Sequence, residues 1–185
     1  MMVNQLRFGA IADDAFHVAI DMQRMFAEPG TFFCPDFPSI IPVVGKITAL
    51  QPENTVFTRY VKPDREEMTG ALWQECYRQW VSSTLGSLNS EMFDLIDPLL
   101  RFIPPANVVE KTTYSAFESN AFTELLDKRQ PDTLIFTGVK TNYCVLATVL
   151  ASVDKHYRTI VVTDGVAGST AETQMAVKKN SFCTL

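Results

Sequence analysis

The chain has 185 residues, of which 16 are Lys or Arg and 21 are Asp or Glu, so its net charge at neutral pH is −5. This length is that of one ordinary domain, and we expect residues 1–185 to form a single one. The acidic balance excludes the basic surface that nucleic-acid phosphates require. The longest stretch of apolar or small residues, Cys144 to Val153, is well short of the ~20 residues of a membrane span. The amino terminus makes a poor signal peptide, so we expect a cytoplasmic protein with no membrane partner.

Predicted strands and helices alternate along the chain, which is typical of a parallel sheet with helical crossovers. The predicted strands are 17–21, 55–58, 108–111, 133–137 and 159–163. The predicted helices are 39–50, 72–81, 91–100, 121–129, 143–155 and 171–179. Because the strands are nearly continuous apolar runs, both faces of the sheet should be covered. We therefore expect an α/β protein with three α/β/α layers and a doubly wound, mainly parallel sheet of five or six strands.

Four cysteines are widely spaced, without the close pairs or nearby histidines that a zinc site needs. They are Cys34, Cys76, Cys144 and Cys183. In a reducing compartment they should be free thiols, so the question is whether one of them is a nucleophile.

Three residues that can do chemistry follow or end predicted strands, namely Asp21, Lys111 and Cys144. The carboxyl ends of parallel strands form one edge of the sheet, where ligands bind, so these side chains should converge there. Each residue also has an ordinary structural reading, as a helix cap, a solvated lysine or a small buried hydrophobe.

The surroundings of Cys144 favour a chemical role. Gly138 forms a tight turn after the strand, and Thr141 is the predicted N-cap, which places Cys144 in the first turn of the next helix. Backbone N–H groups and the helix dipole there should favour the thiolate over the thiol. The same N–H groups can stabilise an oxyanion.

These segments together resemble the isochorismatase-like cysteine hydrolases, a family that includes nicotinamidases and N-carbamoylsarcosine amidases. The matching pieces lie between about Phe16 and Gly168 and comprise residues 18–23, 58–59, 109–111, 115–117, 137–145 and 161–164. The resemblance implies a Rossmann-like hydrolase fold and a catalytic triad in which Asp21 is the base and acid, Lys111 stabilises charge and Cys144 is the nucleophile. It also implies a cis peptide between Val139 and Lys140, with the N–H groups of Lys140 and Cys144 as the oxyanion hole.

Metal-binding nicotinamidases of this family carry an Asp-x-His motif and a further His at the second strand, but here residues 57–63 read Phe-Thr-Arg-Tyr-Val-Lys-Pro. We therefore expect no metal and no cofactor. The two histidines have structural readings, His17 as a packed strand residue and His156 as a surface residue near a helix end.

Five residues are candidates for binding a small-molecule substrate: Phe26, Arg59, Trp73, Phe117 and Thr141. Ordinary packing explains Trp73 at least as well, whereas a place in the cleft is favoured for Phe26 and Phe117. Arg59 either holds a substrate carboxylate in its planar fork or pairs with an acidic residue nearby, such as Asp64, Glu66 or Glu67.

The favoured function is a metal-independent amidohydrolase that cleaves a small amide or N-carbamoyl compound through a thioester. One alternative is an isochorismatase-type vinyl-ether hydrolase, which does not depend on the cysteine. Others are a catalytically silent oligomerising homologue and a redox role for Cys144. The stop at Leu185 and the aromatic-rich insert from Trp73 to Phe102 also predict a homo-oligomer, a dimer or tetramer, unless the insert folds over its own cleft as a lid.

Overall fold

The computed structural model describes residues 9–61, 72, 74–75 and 89–182. It contains a parallel sheet of five strands in the order β3-β2-β1-β4-β5. The strands are β1 (Phe16–Ile20), β2 (Thr55–Tyr60), β3 (Asn107–Lys111), β4 (Thr133–Val139) and β5 (Arg158–Ala167). From β1 the chain adds β2 and β3 on one side of the sheet, and it then crosses to add β4 and β5 on the other side of β1. This is the predicted doubly wound fold, and its order reverses between β1 and β4, where such sheets bind ligands.

Helices cover both faces of this sheet. They are α1 (Arg24–Ala27), α2 (Phe37–Leu50), α3 (Asp97–Leu100), α4 (Asn120–Arg129), α5 (Leu146–Asp154) and α6 (Ala171–Val177). Side chains of β1 alternate between two cores, because successive residues of a strand point to opposite faces. Ala19 packs in the core that holds Phe37 and Ile40 of α2, whereas Val18 packs in the core that holds Phe122. No helix within the described ranges is long and apolar enough to cross a membrane.

The predicted helix 91–100 is wrong, because tertiary pairing divides this segment. Residues Ser90–Phe93 form a 3-10 turn, and the helix α3 begins only at Asp97. Between them, Leu95 forms an antiparallel bridge with Gln23, and the N–H of Ile96 donates to the carbonyl of Met22. The extended backbone that this pairing requires cannot be part of a helix. Most of the predicted helix 72–81, including Trp73, lies outside the described residues.

The helix that follows β4 also starts differently from the prediction. Residues Thr141–Val145 form a π-helical turn, and α5 continues from Leu146. Thr141 is not the N-cap, since Lys140 occupies that position and no side chain caps the turn. A π-helical turn closes hydrogen bonds over five residues and is frequent at functional sites.

His17 is a packed strand residue, as predicted. Its ring lies in the sheet with Nε2 2.8 Å from Thr137 Oγ1 and Nδ1 3.4 Å from the hydroxyls of both Thr48 and Thr55. Burial lowers the pKa of His17 to about 3, so the ring is neutral in the folded protein. His156 is exposed in the turn before β5.

Candidate active site

Asp21 directly follows β1 and is held by the neighbouring strand β2. Its N–H donates to the backbone oxygen of Thr58 (3.2 Å) and to Thr58 Oγ1 (3.1 Å). The Thr58 hydroxyl donates in turn to Asp21 Oδ1 at 2.6 Å. Asp21 adopts φ 49°, in the left-handed region that Asp and Asn tolerate better than other non-glycine residues. The carboxylate is therefore fixed in direction and buried at the carboxyl edge of the sheet.

Lys111 ends β3 and reaches Asp21 past the end of β2. Its Nζ lies 2.8 Å from Asp21 Oδ2, and both side chains are fully buried. The ammonium also donates to the carbonyl of Thr113 at 3.0 Å and interacts electrostatically with Cys144. Burial lowers the pKa of Lys111, but the charge of Asp21 and the contact with Cys144 outweigh it, so the net shift is upward. Lys111 is thus a buried ammonium with a carboxylate and a carbonyl as direct partners, as a buried charge requires.

Cys144 lies in the π-helical turn beyond β4, 8% exposed, and its thiol contacts both Asp21 and Lys111. Gly138 makes this position possible, because it adopts φ +105° and a Cβ there would lie 2.0 Å from the backbone oxygen of Ile20. Glycine therefore lets the end of β4 approach the end of β1, which carries Asp21. The hydroxyl of Thr148 donates to the carbonyl of Cys144 at 2.7 Å and holds the turn to α5.

The thiol of Cys144 is protonated at neutral pH. Burial raises its pKa to about 12, the charge of Asp21 adds to the rise, and Lys111 opposes it only in part. The expectation that the helix start favours the thiolate is therefore wrong, because desolvation and a neighbouring carboxylate outweigh the dipole of one helical turn. The resting site holds a neutral thiol between a carboxylate and an ammonium.

The peptide bond between Val139 and Lys140 is cis, as the resemblance implies. The carbonyl of Lys140 accepts hydrogen bonds from the N–H groups of Tyr143 and Val145. The N–H of Lys140 donates to no acceptor among the described residues. This N–H belongs to the turn that carries Cys144.

Of the five candidate substrate-binding residues, the structure brings Phe26 close to this turn. Its ring is buried, and its centroid lies 5.8 Å from Nζ of Lys140. Thr141 is fully buried in the same turn, and its hydroxyl has no hydrogen-bond partner within the described ranges.

Two other candidates, Phe117 and Arg59, make contacts with residues outside the Asp21, Lys111 and Cys144 group. Phe117 packs edge-on against Phe122 and stacks on Tyr157, which precedes β5 at the opposite end of the sheet. Arg59 pairs with two carboxylates, Asp94 at 3.0 Å and Glu110, whereas residues 64–67 lie outside the described residues. Trp73 lies outside the described residues.

Two buried polar residues that position the site are not evident from their own residue types. One is Thr58, which holds Asp21. The other is Gln23, whose Oε1 accepts from the N–H of Tyr60 (2.9 Å) and whose Nε2 donates to the carbonyls of Tyr60 (2.8 Å) and Phe93 (2.6 Å). Its amide joins the segment after β1 to β2 and to the 90–93 turn. Their position in the sequence is what could have identified them, since Thr58 lies near the end of β2 and Gln23 shortly after the end of β1.

Within the part of the chain that the structure describes, no three His, Cys, Asp or Glu side chains are grouped so that they could hold a metal ion.

Comparisons with known proteins agree with this architecture. A family model described as the isochorismatase domain matches residues 15–184. The N-carbamoylsarcosine amidase of Arthrobacter sp is 29% identical over 152 residues, which are 78% of this chain and 56% of that protein. The chain thus spans little more than half the length of this curated relative.

Solved structures share the fold. An isochorismatase-like hydrolase from Alkaliphilus metalliredigens has a TM-score of 0.73 at 23% identity and covers 91% of both chains. The N-carbamoylsarcosine amidase of Thermoplasma acidophilum has a TM-score of 0.71 at 20% identity, over 90% of this chain and 91% of that one. A nicotinamidase from Bacillus subtilis has a TM-score of 0.71 at 22% identity, over 92% of this chain and 97% of that one.

Proposed function

This chain belongs to the isochorismatase family, and from that premise we propose that it is a cysteine amidohydrolase that cleaves a small amide or N-carbamoyl compound. The observation that carries the proposal is the thiol of Cys144, held in contact with both Asp21 and Lys111. A nucleophile, a base and a fixed positive charge are the groups that acyl transfer through sulfur requires. The relative named N-carbamoylsarcosine amidase supports the choice of a C–N bond.

In the first step, the sulfur of Cys144 attacks the carbonyl carbon while the thiol proton passes to Asp21. A carbon–sulfur bond forms, and the carbonyl electron pair moves to the oxygen. The N–H groups of Lys140 and Cys144 are proposed to hold this oxyanion, because the N–H of Lys140 has no other acceptor among the described residues. Proton transfer accompanies the attack, since a thiol of pKa about 12 supplies almost no thiolate at neutral pH.

In the second step, Asp21 returns the proton to the departing nitrogen, the carbon–nitrogen bond breaks and a thioester remains on Cys144. Water then attacks the thioester, again giving its proton to Asp21. The carbon–sulfur bond breaks as that proton passes to the sulfur, which releases the acid and restores the thiol.

Lys111 is proposed to stabilise the charges of both steps. Its ammonium contacts Asp21 directly at 2.8 Å in a buried site, and it also faces the sulfur on which negative charge develops. Its contacts with Asp21 and with the carbonyl of Thr113 fix it in place, so it stabilises charge without reorganising.

The experiment that tests this function is ammonia release from a panel of small amides and ureido acids, with intact protein and with Cys144→Ala. We expect release by the intact protein and a loss of at least about a thousandfold in Cys144→Ala. Thr123→Val, a half-buried substitution in α4, is the control and should retain activity. Equal ammonia release by Cys144→Ala would contradict the proposal, because amide cleavage would then not use the thiol. No activity on any amide would favour the silent homologue.

We also propose that the activity needs no metal, which predicts the same rate of amide hydrolysis before and after exhaustive chelation. We also propose a homo-oligomer, supported by the exposed apolar side chains of Tyr143 (47%), in the turn before α5, and of Leu150 (46%), in the middle of α5. Light scattering after size exclusion should give a molar mass two or four times the 20.7 kDa of one chain. The buried free thiols of Cys34 and Cys144 are compatible with a reducing cytoplasm.

A further inference from the structure

The side chain of Lys140 lies in the site but has no part in the mechanism above. It is half-buried at the carboxyl edge of the sheet, with Nζ 5.8 Å from the ring centroid of Phe26. Its charge also interacts with the two buried thiols, Cys34 and Cys144. The ammonium therefore lies over an aromatic ring, within electrostatic range of the nucleophile.

This ammonium has no anionic partner among the described residues. None of the ion pairs formed there includes Lys140, whereas Arg24, Arg59 and Lys111 are each paired with carboxylates. Its two thiol neighbours are neutral at neutral pH, because burial raises the pKa of both Cys34 and Cys144. Burial in turn lowers the pKa of Lys140.

A cation that is partly desolvated and unpaired is costly for the folded protein, and a bound anion removes that cost. Phe26 contributes an apolar wall with a cation–π contact, which lowers the cost only in part. The remaining charge of Lys140 fits one carboxylate, a single negative charge that an ammonium binds in a charge-assisted hydrogen bond. A phosphate would bring a charge of about −2 at neutral pH against this single cation.

We propose that Lys140 is a specificity-determining residue whose ammonium binds a carboxylate of the substrate, so that the substrate is an amide or N-carbamoyl compound that also carries a carboxylate. This inference rests on the proposed function, because it uses Cys144 as the reacting group. One residue then holds two parts of the substrate, the oxyanion through its N–H and the carboxylate through its side chain. The carboxylate must lie only a few bonds from the scissile carbonyl, since both groups meet the same residue.

The first test compares an anionic substrate with its neutral counterpart, N-carbamoylglycine and N-carbamoylglycinamide. In Lys140→Met, the ratio of kcat/KM for the anionic over the neutral compound should fall about tenfold to hundredfold, mainly through KM. Lys140→Arg keeps the charge and should recover most of the ratio. Lys128→Met, the same substitution at an exposed lysine of α4, should leave the ratio within about twofold. An unchanged ratio in Lys140→Met would overturn the proposal.

The second test needs no turnover, so it separates this inference from the proposed function. Iodoacetate and iodoacetamide both alkylate a thiol with loss of iodide, and only the first carries a carboxylate. The ratio of their rates at Cys144, followed by peptide mass spectrometry, should fall about tenfold in Lys140→Met and not in Lys128→Met. A fall in this ratio without any amide hydrolysis would support the carboxylate site and reject the amidohydrolase. Hydrolysis that depends on Cys144, with both ratios unchanged, would reject the role of Lys140 alone.

Discussion

Thr58 and Asp21 hold each other through two hydrogen bonds, in which the threonine hydroxyl donates to the carboxylate at 2.6 Å and accepts from the aspartate N–H at 3.1 Å. Oδ1 is used by this contact, so Oδ2 faces Lys111. The direction of the proposed base is therefore set by the neighbouring strand.

Thr58→Val removes this hydroxyl with little change in shape, and we expect kcat to fall about tenfold to hundredfold and stability by about 1–3 kcal/mol, since a buried carboxylate oxygen loses its donor. Steady-state kinetics and urea unfolding measure both. Thr55→Val is the matched control, because its hydroxyl lies at the other end of β2, near His17. It should lose stability but keep kcat, and an equal loss of kcat in both variants would contradict the positioning role.

Lys111→Met should destabilise the protein by about 3–5 kcal/mol, because it leaves the carboxylate of Asp21 buried without its counter-charge. Adding Asp21→Asn removes the unpaired buried charge, so the double variant should regain much of this stability while remaining inactive. Urea unfolding of the two single variants and the double variant gives the coupling free energy between the two residues. Additive losses would show that the pair is not coupled.

The raised pKa of Cys144 predicts the pH dependence of its alkylation. With a pKa of about 12, the thiolate fraction increases about tenfold per pH unit between pH 6 and pH 9, and the rate with iodoacetamide should follow it without levelling off. Mass spectrometry of the peptide that contains Cys144 measures the rate. A plateau below pH 9 would mean that the resting site holds a thiolate.

The neutral His17 predicts acid sensitivity. Its pKa is about 3 in the folded protein and 6.5 in the unfolded chain, so below pH 6.5 only the unfolded chain takes up a proton. The contribution of neutral His17 to the free energy of unfolding is complete above pH 6.5. It is lost as the pH falls towards 3, by about 1.4 kcal/mol per pH unit. His17→Gln cannot titrate, so its free energy of unfolding should decrease less steeply between pH 6 and pH 4. His156→Gln, at an exposed site, should follow the unmodified protein.

Gly138→Ala tests the close approach of β1 and β4. The new Cβ would lie 2.0 Å from the backbone oxygen of Ile20 and would require φ +105°, so we expect a loss of about 3 kcal/mol or more and a displaced Cys144. Gly30→Ala is the control, since nothing lies within 4 Å of its Cβ position, and it should change stability by less than about 1 kcal/mol. Thermal melts of both variants measure their loss of stability. A similar loss in both variants would contradict the close approach of β1 and β4.

Much of the fold follows from the sequence because strand periodicity is a local property. The apolar runs that predict β1, β4 and β5 are buried-strand patterns whatever their neighbours, and the alternation with helices requires parallel crossovers. Segment 91–100 is different. Its apolar spacing fits a helix, but Leu95 and Ile96 pair with residues about 70 positions earlier, which no local pattern reveals.

For the site, residue types and strand ends sufficed to place Asp21, Lys111 and Cys144 together, because the carboxyl ends of parallel strands meet at one edge. Only the tertiary structure decided their state and their surroundings. Whether a thiol is ionised depends on burial and on nearby charges, and these place the pKa of Cys144 at about 12. Likewise, Arg59 has carboxylate partners and Lys140 has none within the described part of the chain, because ion pairs form between groups that are distant in the chain and close in space.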